Sequence, residues 1–174
     1  MLIERGESMP YDFNVLVVNQ REKTILPFSS SISVLNEIDD EDGKRYHTIY
    51  PFMTQTSGIW YSLIKEDDGV VYASFCDSDF EHVQEDTALP YWMKDEDVKY
   101  HLTPLIIKKG YEEDVVKIIS YLIEQSPIKT VMLLARYQSE DREIICGVIS
   151  PEEFWTLLGQ GKVLFNTCYI IRKE

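Results

Sequence analysis

Long hydrophobic runs are missing from this sequence. No stretch approaches the ~18 consecutive apolar residues that cross a bilayer as a helix, so no membrane partner is expected. The opening Met1-Leu2-Ile3-Glu4-Arg5-Gly6-Glu7 has no apolar core of a secretory signal. Glu4 to Glu7 can be written in purine-only codons just ahead of Met9, as in an in-frame ribosome-binding site. Translation is therefore expected to begin at Met9, with residues 1–8 upstream of the natural start or disordered. Cysteine is scarce. Cys76, Cys146 and Cys168 are odd in number and lack C-x-x-C spacing, which gives neither a disulfide framework nor a zinc site. The last two lie in strand-like apolar runs, where buried thiols are expected. The cysteine pattern and the missing signal point to a reducing cytoplasm.

Basic residues are also few. The chain has 17 Lys and Arg against 30 Asp and Glu, and its longest basic runs are pairs such as Lys108-Lys109. A nucleic-acid binder normally carries a basic stripe, so direct nucleic-acid binding is disfavoured. A mimic of nucleic acid stays compatible. Recognisable catalytic patterns are lacking too. There is no G-x-S-x-G, P-loop or G-x-G-x-x-G. His47, His82 and His101 never take the H-x-x-x-H spacing that puts two imidazoles on one helical face. Two acidic turns invite calcium, but with Gly43 or Gly69 at the sixth loop position, Ile38 or Ile64 falls at the first and Ile49 or Phe75 at the twelfth. Apolar side chains do not ligate a hard cation. Asp77, Asp79 and His82, or Glu81 and Glu85 at helical spacing, make a non-specific metal constellation for which an exposed loop is the simpler account. Cys76 as a nucleophile with His82 would need spatial contact, and the negative charge around it would raise the thiol's pKa. No metal, cofactor or catalytic residue is therefore expected.

What the sequence does have is acid, unevenly distributed. The net charge is −13. Residues 1–36 carry four acids and three bases, and residues 98–174 carry ten of each. Residues 37–97 carry sixteen acids and four bases, a net of −12. The acids cluster at Glu37 with Asp39, Asp40, Glu41 and Asp42; at Glu66, Asp67 and Asp68; at Asp77, Asp79, Glu81, Glu85 and Asp86; and at Asp95, Glu96 and Asp97. Such density costs folding free energy through self-repulsion, but it attracts cationic partners and speeds their encounter. The alternative is a solvated face that only keeps the chain soluble. Trp60, Tyr61, Tyr91 and Trp92 are interleaved with the acids and suit the desolvated centre of an interface, where a few aromatic and Arg residues carry most of the energy. The expected partner-binding residues are Asp39, Asp40, Glu41, Asp42, Asp67, Asp68, Asp77, Asp79, Glu81, Glu85, Tyr91 and Trp92.

The 174 residues suit one α+β domain with a sizeable core. Phe13 to Val18 is a short apolar run, strand or helix. Ile32 to Ile38 is a strand or short helix. Gly58–Ile64 and Val70–Phe75 read as a hairpin joined by Lys65–Gly69, and residues 76–97 as an irregular acidic excursion. Val98–Ile107 reads as a strand, at an edge or bulged because of Pro104. Val115, Ile118, Ile119, Leu122 and Ile123 mark one face of a helix with an acidic first turn, ended by Ser126-Pro127. Thr130–Tyr137 and Glu143–Ile149 are strands. Ser150-Pro151-Glu152-Glu153 starts a second helix with a capping box. On that helix Phe154, Trp155, Leu157 and Leu158 are expected to face the core. Val163–Ile171 is the last strand, with Asn166 and Thr167 facing solvent. The order from residue 98 is β-α-β-β-α-β, that of the ferredoxin-like split unit. With the hairpin before it, this suggests a mixed or antiparallel sheet with helices on one face.

The segments Ser126-Pro127-Ile128-Lys129, Val131 to Ala135, Gly147 to Phe154 and Leu164 to Tyr169 are similar in style to small proteins of Gram-positive bacteria. As a small acidic α+β chain without a catalytic motif, it resembles the immunity proteins of bacterial toxin–immunity systems. The likeness spans roughly residues 98–174. It implies a cytoplasmic protein that covers the active site of a cognate basic toxin, often a nuclease. A regulatory or adaptor domain of phage or mobile-element origin, and an enzyme with a Cys, His and carboxylate site outside known motifs, are the alternative classes.

Overall fold

In the computed structural model, residues 11–36, 55–67, 70–78, 103–137 and 144–174 are described. They form strands β1 (Tyr11–Val18), β2 (Ser33–Leu35), β3 (Gly58–Asp67), β4 (Val70–Tyr72), β5 (Cys76–Ser78) and β6 (Leu105–Ile107). Helix α1 (Glu112–Gln125), strands β7 (Thr130–Tyr137) and β8 (Ile144–Ile149), helix α2 (Pro151–Gly159) and strand β9 (Thr167–Arg172) follow. The fold is α+β. The large sheet runs β2-β3-β1-β7-β9-β8, with β4 on the far end of β3, and β5 and β6 make a small second sheet. Every pairing in the large sheet is antiparallel except β8 with β9. Among the described residues, no helix is long and apolar enough to cross a membrane.

The short run at Phe13 resolves as strand because it is buried on both faces. On β1, residues 13, 15 and 17 join the main core, and residues 16 and 18 join a second cluster on the opposite face. A strand buried on both sides reads as a continuous apolar run. The main core is formed by the helical residues Val115, Ile118, Ile119, Leu122 and Ile123 with Phe154, packed on Val15, Tyr61, Leu63, Val131, Leu133 and Ile171. The second cluster holds Leu16, Val18, Trp60, Met132, Leu134 and Cys168. Both described helices contribute to the first core only, as expected of helices on one face.

Several boundaries differ from the sequence reading, each for a physical reason. β3 runs to Asp67 and pairs Asp67 with Val70, so the hairpin connection is Asp68-Gly69 alone. Cys76–Ser78 is a strand, not part of an irregular excursion, since it has β6 as a partner. β6 is three residues long and stays out of the large sheet. Pro104 before it has no N–H to give a ladder, and it makes only an isolated bridge to Leu164. β7 and β8 do not pair as a hairpin. β9 lies between them, antiparallel to β7 and parallel to β8, so β8-α2-β9 is a parallel crossover unit. The order β-α-β-β-α-β is present along the chain, but the ferredoxin-like pairing is not. The last strand starts at Thr167, since Asn166 takes φ 58° and breaks the extended run. Asn166 and Thr167 are buried, not solvent-facing, and the Asn166 N–H donates to Ala135 O.

Helix α2 begins as its sequence requires. The Ser150 hydroxyl accepts from the Glu153 N–H at 3.1 Å, and the Glu153 carboxylate accepts from the Ser150 N–H at 2.8 Å. At the start of β3, Gly58 has φ 152°, and a Cβ there would lie 2.2 Å from Val17 O, so only glycine fits. The long connection after β1 is tied down by side chains. Tyr61 Oη accepts from the Thr24 N–H and donates to Gln20 Oε1, and Asp114 accepts from both the N–H and hydroxyl of Ser31.

One buried ion pair crosses the central ladder. Asp12 and Arg136 are directly opposite on β1 and β7, with Arg136 Nε 3.3 Å from Asp12 Oδ2 and Arg136 only 2% exposed. Breaking a buried pair from one side costs about 3–5 kcal/mol, because the remaining charge stays desolvated. Asp12 retains 19% exposure, so the lower part of that range applies. We expect Asp12→Ala to lower chemical-denaturation stability by about 3 kcal/mol. Arg136→Met, which removes the buried charge itself, should cost less, and an inverted order would show that the pair does not govern this position. The Ser31 hydroxyl, then the Ser31 N–H, hold the Asp114 carboxyl below its ordinary pKa. A depressed carboxylate adds stability above its unfolded pKa of about 3.9 and loses it as pH falls through the lower folded value. Asp114→Asn should therefore flatten the acid limb of the stability profile below about pH 4, as followed by thermal melts, and leave the neutral region's slope unchanged.

Candidate functional site

Of the acids expected to bind a partner, two fall among the described residues. Asp67 ends β3 in the large sheet, and Asp77 lies exposed on β5 in the small one. The Asp77 carboxylate accepts from the Ser78 N–H at 2.8 Å and, at a long 3.4 Å, from the Tyr11 hydroxyl. Tyr11 Oη also bonds Ser78 Oγ at 2.9 Å, which fastens β5 to the start of β1. Asp39, Asp40, Glu41, Asp42, Asp68, Asp79, Glu81, Glu85, Tyr91 and Trp92 lie outside the described residues, as do all three histidines.

Two aromatics expected at an interface belong instead to the core. Trp60 is 8% exposed and Tyr61 1%. They alternate on β3, so Tyr61 packs toward the helices and Trp60 toward the opposite face, where its Nε1 donates to Asn14 Oδ1. The acidic segments around them are what made them look exposed in the sequence; their own position on a strand paired with β1 buries both.

The cysteines are placed by packing. Cys76 and Cys168 are buried and Cys146 half-buried, and all three are free thiols. Burial pushes the Cys76 thiol well up, with Asp77 adding to it against the opposing pull of Lys108. Burial alone raises Cys146. A thiol of raised pKa is a poor nucleophile at neutral pH. Among the described residues, no group of three His, Cys, Asp or Glu side chains stands close enough to hold a metal ion.

A groove that the sequence reading did not foresee lies where β6 meets both helices. It encloses about 420 Å³ and is lined by the β6 residues, Glu112 and Val116 of α1, and Trp155 and Leu158 of α2. Trp155 packs against the core, but at its margin. Phe154 and Trp155 are consecutive, about 100° apart around the helix, so both cannot point straight into the core. Phe154 takes the core at 1% exposure, and Trp155 stays half-buried at the groove wall, its ring edge-on to Phe154 with centroids 5.2 Å apart. The adjacency of two aromatics on a short amphipathic helix was the available signal. Ile106 and Val116 remain 40% and 37% exposed beside it. Glu112 is the charged residue of the lining. Its carboxylate accepts from the Gly110 N–H at 2.8 Å, and backbone N–H groups, its own first and Gly110's next, hold its pKa below the ordinary value.

No protein-family model matches the chain, and neither a curated protein nor a solved structure matches it.

The thiol geometry gives a direct test. In the folded protein at pH 8, iodoacetamide should modify Cys146 before Cys76 and Cys168, which should react only on unfolding, as read by peptide mass spectrometry. Rapid alkylation of Cys76 in the native state would mean that its burial is not maintained in solution.

Proposed function

We propose that this chain is an acidic protein-binding module that neutralises a cationic protein partner, in the manner of an immunity protein covering the active site of a basic toxin such as a nuclease. The observation that carries this reading is the confinement of charge. Residues 37–97 hold a net −12 of the total −13, while residues 98–174 are neutral. A charge surplus that served solubility alone would have no need to gather in one third of the chain. Clustered acids raise association rates with a basic surface to about 10⁸–10⁹ M⁻¹s⁻¹ at low salt. They also stand in for the phosphates that a nuclease cleft attracts. In this reading Asp39, Asp40, Asp67, Asp68 and Asp77 steer and hold the partner, and Tyr91 and Trp92 supply the apolar centre. Of these, Asp67 ends β3 and Asp77 lies exposed on β5.

The experiment is kinetic. Co-expression with a toxin encoded in the neighbouring gene should restore growth. With the purified pair, the stopped-flow association rate constant should fall steeply as salt rises from low to physiological ionic strength, as steered encounters do. Replacing Asp39, Asp40, Asp67 and Asp68 together by Lys should slow association by at least about tenfold. A rate indifferent to both salt and charge reversal would defeat the reading.

A further inference from the structure

The groove between β6, α1 and α2 has a sign as well as a shape. Its walls are Ile106, Val116, Trp155 and Leu158, and the charged side chain among its lining is Glu112. Its volume of about 420 Å³ falls within the ~300–1,000 Å³ typical of ligand pockets, room for one large apolar group. Glu112 is fixed at the start of α1 by the Gly110 amide. Neighbouring Glu113 is already occupied by Lys117 at 2.9 Å. Exposed Lys108, Lys109 and Lys162 flank the groove in sequence; none of them lines it, and Lys109 adds a minor attraction to the Glu112 carboxylate.

We propose that this groove receives an anchor from the basic partner, an apolar side chain followed directly by an arginine, with the apolar group between Trp155, Leu158, Val116 and Ile106 and the guanidinium on Glu112. The inference rests on the proposed function for the partner's basic character, while the anchor's chemistry comes from the groove. An apolar group fills the space that leaves Ile106 and Val116 wet. Arginine matches a carboxylate in a fixed orientation with its planar fork of donors. An acidic anchor would meet like charge at the rim, which is a means of rejecting wrong partners.

The test uses the full chain, labelled with ¹⁵N, and two blocked dipeptide amides, N-acetyl-Phe-Arg and N-acetyl-Phe-Glu. The Trp155 indole N–H signal is assigned by its loss in Trp155→Phe. Titration with the Phe-Arg peptide should shift that signal saturably, with about two- to fivefold tighter binding than the Phe-Glu peptide, the range that one exposed ion pair supports. Glu112→Gln, whose amide oxygen still accepts from the Gly110 N–H, should erase the preference while lowering the melting temperature only slightly, from the lost charge in the first helical turn. Val116→Asn should weaken both peptides alike. No shift of the Trp155 signal at about 10 mM peptide, equal binding of the two, or preference for Phe-Glu would overturn the inference, the last by showing that the flanking lysines set the sign. None of these outcomes touches residues 37–97, and the salt and charge-reversal experiment leaves Glu112 intact, so either idea can fail while the other stands.

Discussion

The pairing of β1 with β7 is the constraint on which the described structure depends. Both strands are buried on two faces, so each register position decides two cores at once. A slip of one residue would exchange Phe13, Val15 and Val17 for Asn14, Leu16 and Val18 against the helices. The apolar side chains alone would oppose such a slip weakly, since Leu and Val fit either face. The polar groups make the choice decisive. Asp12 meets Arg136 across the ladder, and Asn14 Oδ1 accepts from Trp60 Nε1 and from Ser62 Oγ at 2.9 Å on the neighbouring strand. Out of register, a guanidinium that is 2% exposed would be buried without its carboxylate. Buried polar groups are weak sources of stability but effective sources of specificity in systems of this kind. Here they sit where specificity is otherwise lowest.

Once that ladder is fixed, the rest of the described architecture follows from what each flanking element has to bury. β3 adds to the free side of β1 and brings Tyr61 and Leu63 under α1. β9 adds to β7, and α2 then returns the chain from β8 so that Phe154 closes the other end of the same core. The small β5-β6 sheet is held from outside this plan by the Tyr11 hydroxyl and by backbone bonds such as Leu105 N–H to Val163 O. The groove lies where β6, outside the large sheet, meets the edges of both helices, with Val116 and Leu158 in its lining.

The sequence disclosed the described helices almost completely. The capping box at Ser150, the acidic first turn at Glu112 and the stripe from Val115 to Ile123 are local signals, and local signals survive folding. Strand existence was also readable from the apolar runs at residues 130–137 and 143–149, whereas the run at 13–18 fitted strand or helix until its pairing with β3 and β7 decided it. Strand partnership was not. Nothing in residues 138–143 states that β9 must come between β7 and β8, because that choice is made by long-range burial of Cys168, Tyr169 and Ile171 on both faces. The same limit misplaced Trp60, Tyr61, Asn166 and Thr167. Residue type set those expectations, but their neighbours in space are strands that bury them. Of the proposed site, the sequence revealed composition and clustering, which are properties of residue type, and the structure adds the exposed setting of Asp77.

The partition of charge has a physical logic that links the two halves of this picture. A net of −12 in 61 residues repels itself and would weigh on any core built from those residues alone. Among the described residues, most buried apolar side chains lie on β1, α1, β7, α2 and β9, and residues 98–174 carry ten acids balanced by ten bases. Some of these lysines and acids form local pairs, Glu113 with Lys117 and Glu124 with Lys129 and Lys173, on the framework's own surface. These exposed pairs add little stability individually. Their effect is local: each pair cancels charge within the framework itself, whose residues 98–174 match ten acids with ten bases.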